Sequence, residues 1–466
     1  MRYLTCAVMA LALARPGGAG AAELEPLDAD PVLAGLLAEA LEARPEYAQA
    51  RSAVEAERER VPQAGAPADP TLTLGIQNDG FKGIEVGKAE TSFYQIMLTQ
   101  PLYWPGKRGL RAEVASGQVS VAEAQAARVR LGVEADVRRA YLEVLLARDQ
   151  LQLLGRLETL WRQSEALAKA RYTVGEGPQS DLLRAQLERT RLQQQRWALE
   201  VAERNRVQEL NRLRGRPFDE PLATARHLAE VADPALPAVD EALADAEARS
   251  PELAQARAAV RMAGRRSALA RRERYPDFTV SAGVMPRGSL DPMWLVSVGV
   301  GLPVWMGRKQ GRAVAESEAR ERAEGQGEES VLQLLRLRTR ERIAQLEVAL
   351  RQNRLFRQGL LVQSDATVES TLAQYQVGRV TFASVLKALS GYVGDQAGYL
   401  EAAAQAQRIA IAQRELSLEP SPGAGGALAV RAVPATAMGG SPGKGGARQG
   451  SPAVAPAGGA GAAGGM

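Results

Sequence analysis

The heptapeptide Pro45-Glu46-Tyr47-Ala48-Gln49-Ala50-Arg51 is repeated almost unchanged as Pro251-Glu252-Leu253-Ala254-Gln255-Ala256-Arg257. Three further pairs of landmarks follow in the same order: Pro101-Leu102-Tyr103-Trp104 and Pro303-Val304-Trp305, Gly106-Lys107-Arg108 and Gly307-Arg308-Lys309, Tyr172-Thr173-Val174-Gly175 and Tyr375-Gln376-Val377-Gly378. Chance similarity between alanine-rich helices would not preserve four landmarks in order. The chain is therefore predicted to contain two copies of one structural unit.

Each copy contains a very long segment without proline, at residues 106–171 and 307–374. Apolar residues recur there at intervals of three and four, which predicts helices about 100 Å long. A glycine-containing turn follows each segment, and returning helices are predicted over 180–214 and 381–417. Each copy should therefore form an antiparallel coiled-coil hairpin.

Short segments of alternating apolar and small polar residues precede the long helices. They predict strands over about 70–77, 92–102, 276–285 and 293–303. The apolar face of these strands includes Leu72, Leu74, Ile76, Phe278, Val280, Trp294, Val296 and Val298.

Two structures fit this alternation: a soluble sheet packed on one side against a core, and a transmembrane β-barrel with a wet lumen. No amphipathic segment remains to cover the sheet, because the helices are committed to hairpins, and this favours the barrel. Four strands cannot close a barrel by themselves, since small barrels need about eight. The strands are therefore predicted to be shared among copies of the chain, and three copies would supply twelve.

Both ends of the chain differ in composition from the repeats. A short apolar run followed by small residues predicts a secretory signal peptide at the start, and a Gly/Ala/Pro-rich end predicts a disordered tail. The predicted domains are the signal peptide (1–22), the first repeat (23–218), a linker (219–240), the second repeat (241–418) and the tail (419–466).

Composition excludes several classes of function. The 466 residues carry 58 Lys+Arg and 54 Asp+Glu, a net charge of +4, so no nucleic-acid partner is expected. His227 is the only histidine and Cys6 the only cysteine, so neither a His/Cys metal cluster nor a Cys–His nucleophile can be formed. We therefore predict no enzyme activity, no metal site and no cofactor.

The chain resembles the TolC family of outer membrane efflux proteins in three features. These are the duplicated helix–strand–strand–hairpin units, the Tyr-x-Val-Gly turns, and the strand exit Pro-Leu-Tyr-Trp-Pro-Gly-Lys-Arg at 101–108. The resemblance covers roughly residues 31–418. It implies a mainly α fold with a small β part, in which a homotrimer forms a 12-stranded transmembrane β-barrel continued by a periplasmic α-helical tunnel. The strand exits and the first turn are similar to the heavy-metal efflux branch.

The resemblance also implies a function and partners. The chain would be the exit duct of a tripartite efflux system, in the outer membrane of a diderm bacterium and extending into the periplasm. It would passively conduct small molecules or metal ions delivered by an inner-membrane transporter, of the resistance-nodulation-division type, and a periplasmic adaptor. The alternatives are a type I protein-secretion duct of the same fold and a secreted coiled-coil scaffold or adhesin.

In the family the two glycine-containing turns form the periplasmic tip, where the adaptor docks. The matching residues here are Val174, Gly175, Glu176, Gly177, Ser180, Val377, Gly378, Arg379 and Thr381. The tunnel entrance corresponds to Asp181, Arg184, Ser384 and Lys387. Some members carry two acids at the positions of Ser384 and Lys387, so that pattern is broken here. Asp181 could form a threefold ring or remain a solvated tip charge.

Overall fold

A computed structural model of the chain describes residues 24–420. The predicted signal peptide and almost all of the predicted tail lie outside this range. The helices are α1 Pro31–Ala43, α2 Pro45–Gly65, α3 Lys107–Thr173, α4 Gln179–Leu213, α5 Val239–Arg249, α6 Pro251–Arg272, α7 Gln310–Leu355, α8 Leu361–Gln376 and α9 Phe382–Glu415. The strands are β1 Thr71–Gln77, β2 Phe93–Leu102, β3 Phe278–Arg287 and β4 Leu290–Val300. Within the described residues, no helix has the length and hydrophobicity to cross a bilayer.

Each copy begins with one helix more than the sequence pattern indicated, because α1 precedes α2 and α5 precedes α6. Capping residues fix these boundaries. The Asp30 side chain accepts a hydrogen bond from the Val32 N–H (2.9 Å) at the start of α1. Ser250 caps α6 in the same way, and Pro251 occupies the first turn, where a missing N–H costs nothing.

The two long helical runs differ in one respect. The first, α3, is a continuous helix of 67 residues, and the second, over 310–376, has the same length. A π-turn at Phe356–Leu360 interrupts the second run, so the prediction of one uninterrupted helix from residue 307 is corrected. The wider turn forms where Asn353 donates to Asp233 of the linker (2.9 Å) and Arg357 pairs with the same carboxylate.

The helices beside the sheet pack in the order α2, α3, α6 and α7, while α4 and α9 pack against the tip-side part of α3. The main core lies where α1, α3, α4 and α9 meet, and its fully buried residues include Leu33, Tyr141, Leu145 and Leu210. Tyr141 also donates a hydrogen bond to Asp30. The core therefore anchors both hairpins on α3.

The four strands form one antiparallel sheet in the order β1-β2-β3-β4. Its register aligns apolar residues across all four strands. One row is Leu72, Leu98, Ala282 and Val296, and the next is Leu74, Ile96, Val284 and Trp294. Within the described residues, β1 and β4 each keep one unpaired edge.

The strands of the second hairpin extend closer to each other than the pattern predicts, so the turn between them is shorter. The pattern predicts strands over 276–285 and 293–303, but β3 continues to Arg287 and β4 covers Leu290–Val300. Two prolines lie between the predicted strands, and both are tolerated. Pro286 lies at the irregularity where the register shifts, and Pro292 lies on an edge strand. A two-residue turn with a left-handed Gly288 (φ 63°) then closes the hairpin.

Candidate functional site

The two hairpin turns at the tip share one backbone geometry. Gly175 and Gly378 both adopt left-handed conformations, with φ of 78° and 76°. The N–H of the following residue closes each turn: Glu176 donates to the Arg171 carbonyl (2.9 Å) and Arg379 to that of Gln374 (2.9 Å). Both turns are therefore Schellman motifs, in which glycine ends a helix without steric strain.

Most of the predicted docking residues are accessible at this tip. Val174 and Val377, which occupy matching positions of the two turns, are 70% and 66% exposed. The other exposed members of the set are Gly175, Glu176, Ser180, Gly378, Arg379 and Thr381. Gly177 is half-buried, because a side chain there would meet Arg171. Two exposed valines among polar residues form a surface suited to binding another protein.

The structure adds a cluster that joins the two turns, which we call the tip latch: Arg171, Asp181 and Tyr375. The Arg171 guanidinium donates to the Tyr375 carbonyl (2.6 Å) and lies 5.1 Å from the centre of its ring. The Tyr375 hydroxyl donates to Asp181 (3.3 Å). Tyr375 is only 2% exposed and packs against Phe382, with ring centroids 5.5 Å apart.

Burial and the neighbouring Asp181 carboxylate raise the pKa of the Tyr375 hydroxyl to about 12. Tyr375 therefore stays protonated at neutral pH and can donate to Asp181. Asp181 consequently differs from the fully solvated charge considered from the sequence, since it is half-buried and faces the second hairpin.

The other predicted entrance residues lie elsewhere on the hairpins. Arg184 is exposed on α4. Ser384 and Lys387 line a groove of about 420 Å³ between α8 and α9, together with Asp395. The structure thus brings Ser384 and Lys387 together and places Asp181 in the tip latch.

The sheet presents a continuous apolar face to its surroundings. Leu74 is 70% exposed and Trp294 is 77% exposed, and the predicted lipid-facing residues Leu72, Ile76, Val296 and Val298 are exposed as well. Phe278 and Val280 are half-buried. The Phe278 ring stacks on Trp104, with centroids 5.7 Å apart.

The opposite face of the sheet is more crowded and more polar. Thr99 and Ser281 share a hydrogen bond of 2.9 Å across β2 and β3. A Cβ atom at Gly299 would lie 2.5 Å from the Thr279 hydroxyl, so a larger residue there would require the Thr279 side chain to move.

Among the described residues, no group of three or more His, Cys, Asp or Glu side chains could hold a metal ion. The single histidine has a structural contact. His227 Nδ1 lies 2.7 Å from the buried Asp149 carboxylate and joins the linker to α3.

Comparison with known proteins gives one family and one fold. The sequence model of the family described as "Outer membrane efflux protein" matches residues 36–215 and 242–417. The outer-membrane channel OprN is 17% identical with a TM-score of 0.70, covering 85% of this chain and 92% of that one.

Two further channels are similar in fold. VceC from Vibrio cholerae is 17% identical with a TM-score of 0.67, covering 83% of this chain and 96% of that one. MtrE from Neisseria gonorrhoeae, in its open state, is 19% identical with a TM-score of 0.69, covering 83% and 89% respectively. No curated protein matches the sequence.

Proposed function

This chain belongs to the TolC family of outer membrane efflux proteins, and we propose that it works as a homotrimer whose sheets close into one 12-stranded barrel. It is an outer membrane channel that extends into the periplasm, the passive exit duct of a tripartite efflux system, and it works with an adaptor and an inner-membrane pump. We propose a pump of the resistance-nodulation-division type, as the resemblance to the family implies.

The observation that carries the trimer is the pair of open strand edges on an apolar sheet. β1 and β4 are the two edges, and the sheet between them presents rows of exposed leucine, isoleucine, valine and tryptophan. Unpaired backbone groups are costly in lipid, so each edge needs a partner strand. Joining β1 of one copy to β4 of the next satisfies both edges in a closed ring.

The two faces of the sheet suit the two environments of such a barrel. The apolar face, with Leu74 and Trp294, would contact lipid, and the more polar face, with Thr99 and Ser281, would line the lumen. The strands of the second hairpin have 10 and 11 residues, which is enough to cross the hydrocarbon layer when tilted.

The hairpins would continue this barrel as a tunnel that ends at the tip. There Val174 and Val377 are proposed to dock the adaptor, and the tip latch holds the two hairpins of one chain together. Because Tyr375 joins α8 to both helices of the first hairpin, the latch restrains their separation, which is the movement that would widen the entrance.

Disulfide trapping tests the closed ring. In a Cys6→Ser background, Thr73→Cys on β1 is combined with cysteine in turn at Met293, Leu295, Ser297 and Gly299 on β4. Within one chain these strands lie about 14 Å apart, beyond disulfide reach. We expect at least one pair to give covalent trimers, while Thr73→Cys alone stays monomeric on a denaturing gel. Monomers from every pair would contradict the proposal.

A further inference from the structure

We propose that a basic groove at the junction of sheet and helices binds the headgroup of an acidic glycerophospholipid from the periplasmic leaflet. The inference rests on the proposed position of the sheet in the bilayer. The groove has a volume of about 990 Å³ and lies between α3, α6 and the segment that leads from β4 to α7. We call it the junction groove. Its lining includes Leu110, Arg271, Arg272, Arg274, Pro303 and Met306.

A stack of aromatic rings shows which side of the sheet the junction groove faces. Trp104 continues the alternation of β2 beyond Leu102 and stacks on Phe278 of the apolar face (5.7 Å). Tyr275, which lines the groove, also stacks on Trp104 (5.0 Å). The groove is therefore continuous with the apolar face, and it begins where β3 starts, at the level of the lipid headgroups.

The charges of the junction groove favour an anion. Three arginines line it against one acid, Glu113, whose carboxylate is paired with Arg265 (3.1 Å). Arg271 pairs with Glu318 (2.8 Å) at the exposed rim. Arg274 is exposed and forms no salt bridge with any residue in the described part of the chain. Its guanidinium is free to form paired hydrogen bonds with a phosphate.

The remaining lining residues of the junction groove suit the acyl chain of a lipid. Arg272 donates to the Pro105 carbonyl (3.1 Å) and so fixes one wall of the groove. Tyr275, Pro303 and Met306 offer an apolar path from the arginines towards the sheet. A phosphate at the arginines would let an acyl chain follow this path, as expected for lipids bound in basic pockets of membrane proteins.

Trimer formation should leave the junction groove open. It lies mainly between α3 and α6, which are inner members of the row α2, α3, α6 and α7. Neighbouring copies would join at the outer members of this row. Each chain therefore carries its own complete groove.

Native mass spectrometry of the full chain in detergent tests the proposal, with phosphatidylglycerol and phosphatidylcholine as probes. We expect one phosphatidylglycerol per chain, bound about fivefold more tightly than phosphatidylcholine. Arg271→Gln/Arg274→Gln should abolish the preference. Arg340→Gln, an exposed arginine about 45 Å along the same helical wall, should keep it.

Equal binding of the two lipids by the unmodified chain would overturn the proposal, and so would an unchanged preference in the double variant. Loss of the preference in Arg340→Gln as well would show general attraction to positive charge and would also overturn it. Because the junction groove lies within one chain, the lipid preference is measured even if the sample is monomeric. A monomeric sample would contradict the proposed trimer separately.

Discussion

Tyr172 and Tyr375 occupy the same position of the two repeats, yet their surroundings are opposite. Tyr172 is 43% exposed, whereas Tyr375 is buried between the hairpins. The duplication reveals the pair, but it does not reveal which member is buried, because that depends on how α3 and α9 pack. The sequence does not single out Arg171 either, because Gln374 stands at its matching position and no repeated pattern marks it.

Replacing Tyr375 with phenylalanine should loosen the tip. The change removes the hydroxyl that donates to Asp181, a hydrogen bond contributing about 1 kcal/mol. We expect higher single-channel conductance at neutral pH in planar bilayers. Tyr172→Phe, at the exposed position, should behave like the unmodified chain. Equal conductance of the two variants would argue against the latch.

The same hydroxyl predicts a response to alkaline pH. The folded pKa of Tyr375 is raised to about 12 from the usual 10, so the folded state favours the protonated hydroxyl. Its contribution to stability is complete below pH 10 and is lost as the pH rises from about 10 to about 12. Conductance should therefore rise over this interval in the unmodified chain. It should stay level in Tyr375→Phe, and a parallel rise there would assign the effect to another group.

Gly378 and Gly391 make a matched pair for testing the tip turn. Gly378 has a φ of 76°, and a Cβ there would approach the Arg171 guanidinium to 3.2 Å, whereas nothing lies within 4 Å of a Cβ at the helical Gly391. Gly378→Ala should cost about 1–2 kcal/mol and lower efflux. Gly391→Ala should be neutral or stabilising by up to about 1 kcal/mol. Denaturant unfolding and an efflux assay in cells would measure both effects.

Among the elements, the long helices and the strand faces could be predicted because each rests on a local period. The alternation about Leu74 and Val296 survives in the observed register. The π-turn could not be predicted, since it lies beside contacts of Asn353 and Arg357 with Asp233, a linker residue distant in sequence. The short turn of the second hairpin could not be predicted, because the alternation of apolar and polar residues does not continue through the segment with Pro286 and Pro292, which the pairing nevertheless includes.

Val296 and Ser297 test the orientation of β4. In the proposed barrel, Val296→Arg would place a charge in lipid and should cost about 2–4 kcal/mol near the bilayer midplane. Ser297→Arg would point into the lumen, where it should change ion selectivity with little loss of stability. Unfolding in detergent and selectivity in planar bilayers would separate the two variants. Equal tolerance of arginine at both positions would contradict the orientation.

For the whole molecule, the open edges of β1 and β4 couple folding to association. If the sheet is complete only in the trimer, the unfolding midpoint of the β signal should rise with protein concentration. Circular dichroism over a hundredfold range of concentration in detergent would measure this. A midpoint independent of concentration, with full β content in a monomer, would contradict the coupling.

The π-turn at Phe356–Leu360 also affects symmetry. Two runs of 67 residues would have equal lengths if both were α-helical throughout. A π-turn uses one more residue per turn, so the second run is shorter by one residue's rise, about 1.5 Å. If the two runs begin at one level, six tips in the proposed trimer would stand at two alternating heights around a threefold axis. If one adaptor molecule docks at each turn, the two binding sites on a chain differ in height, and a single adaptor sequence would need two binding poses.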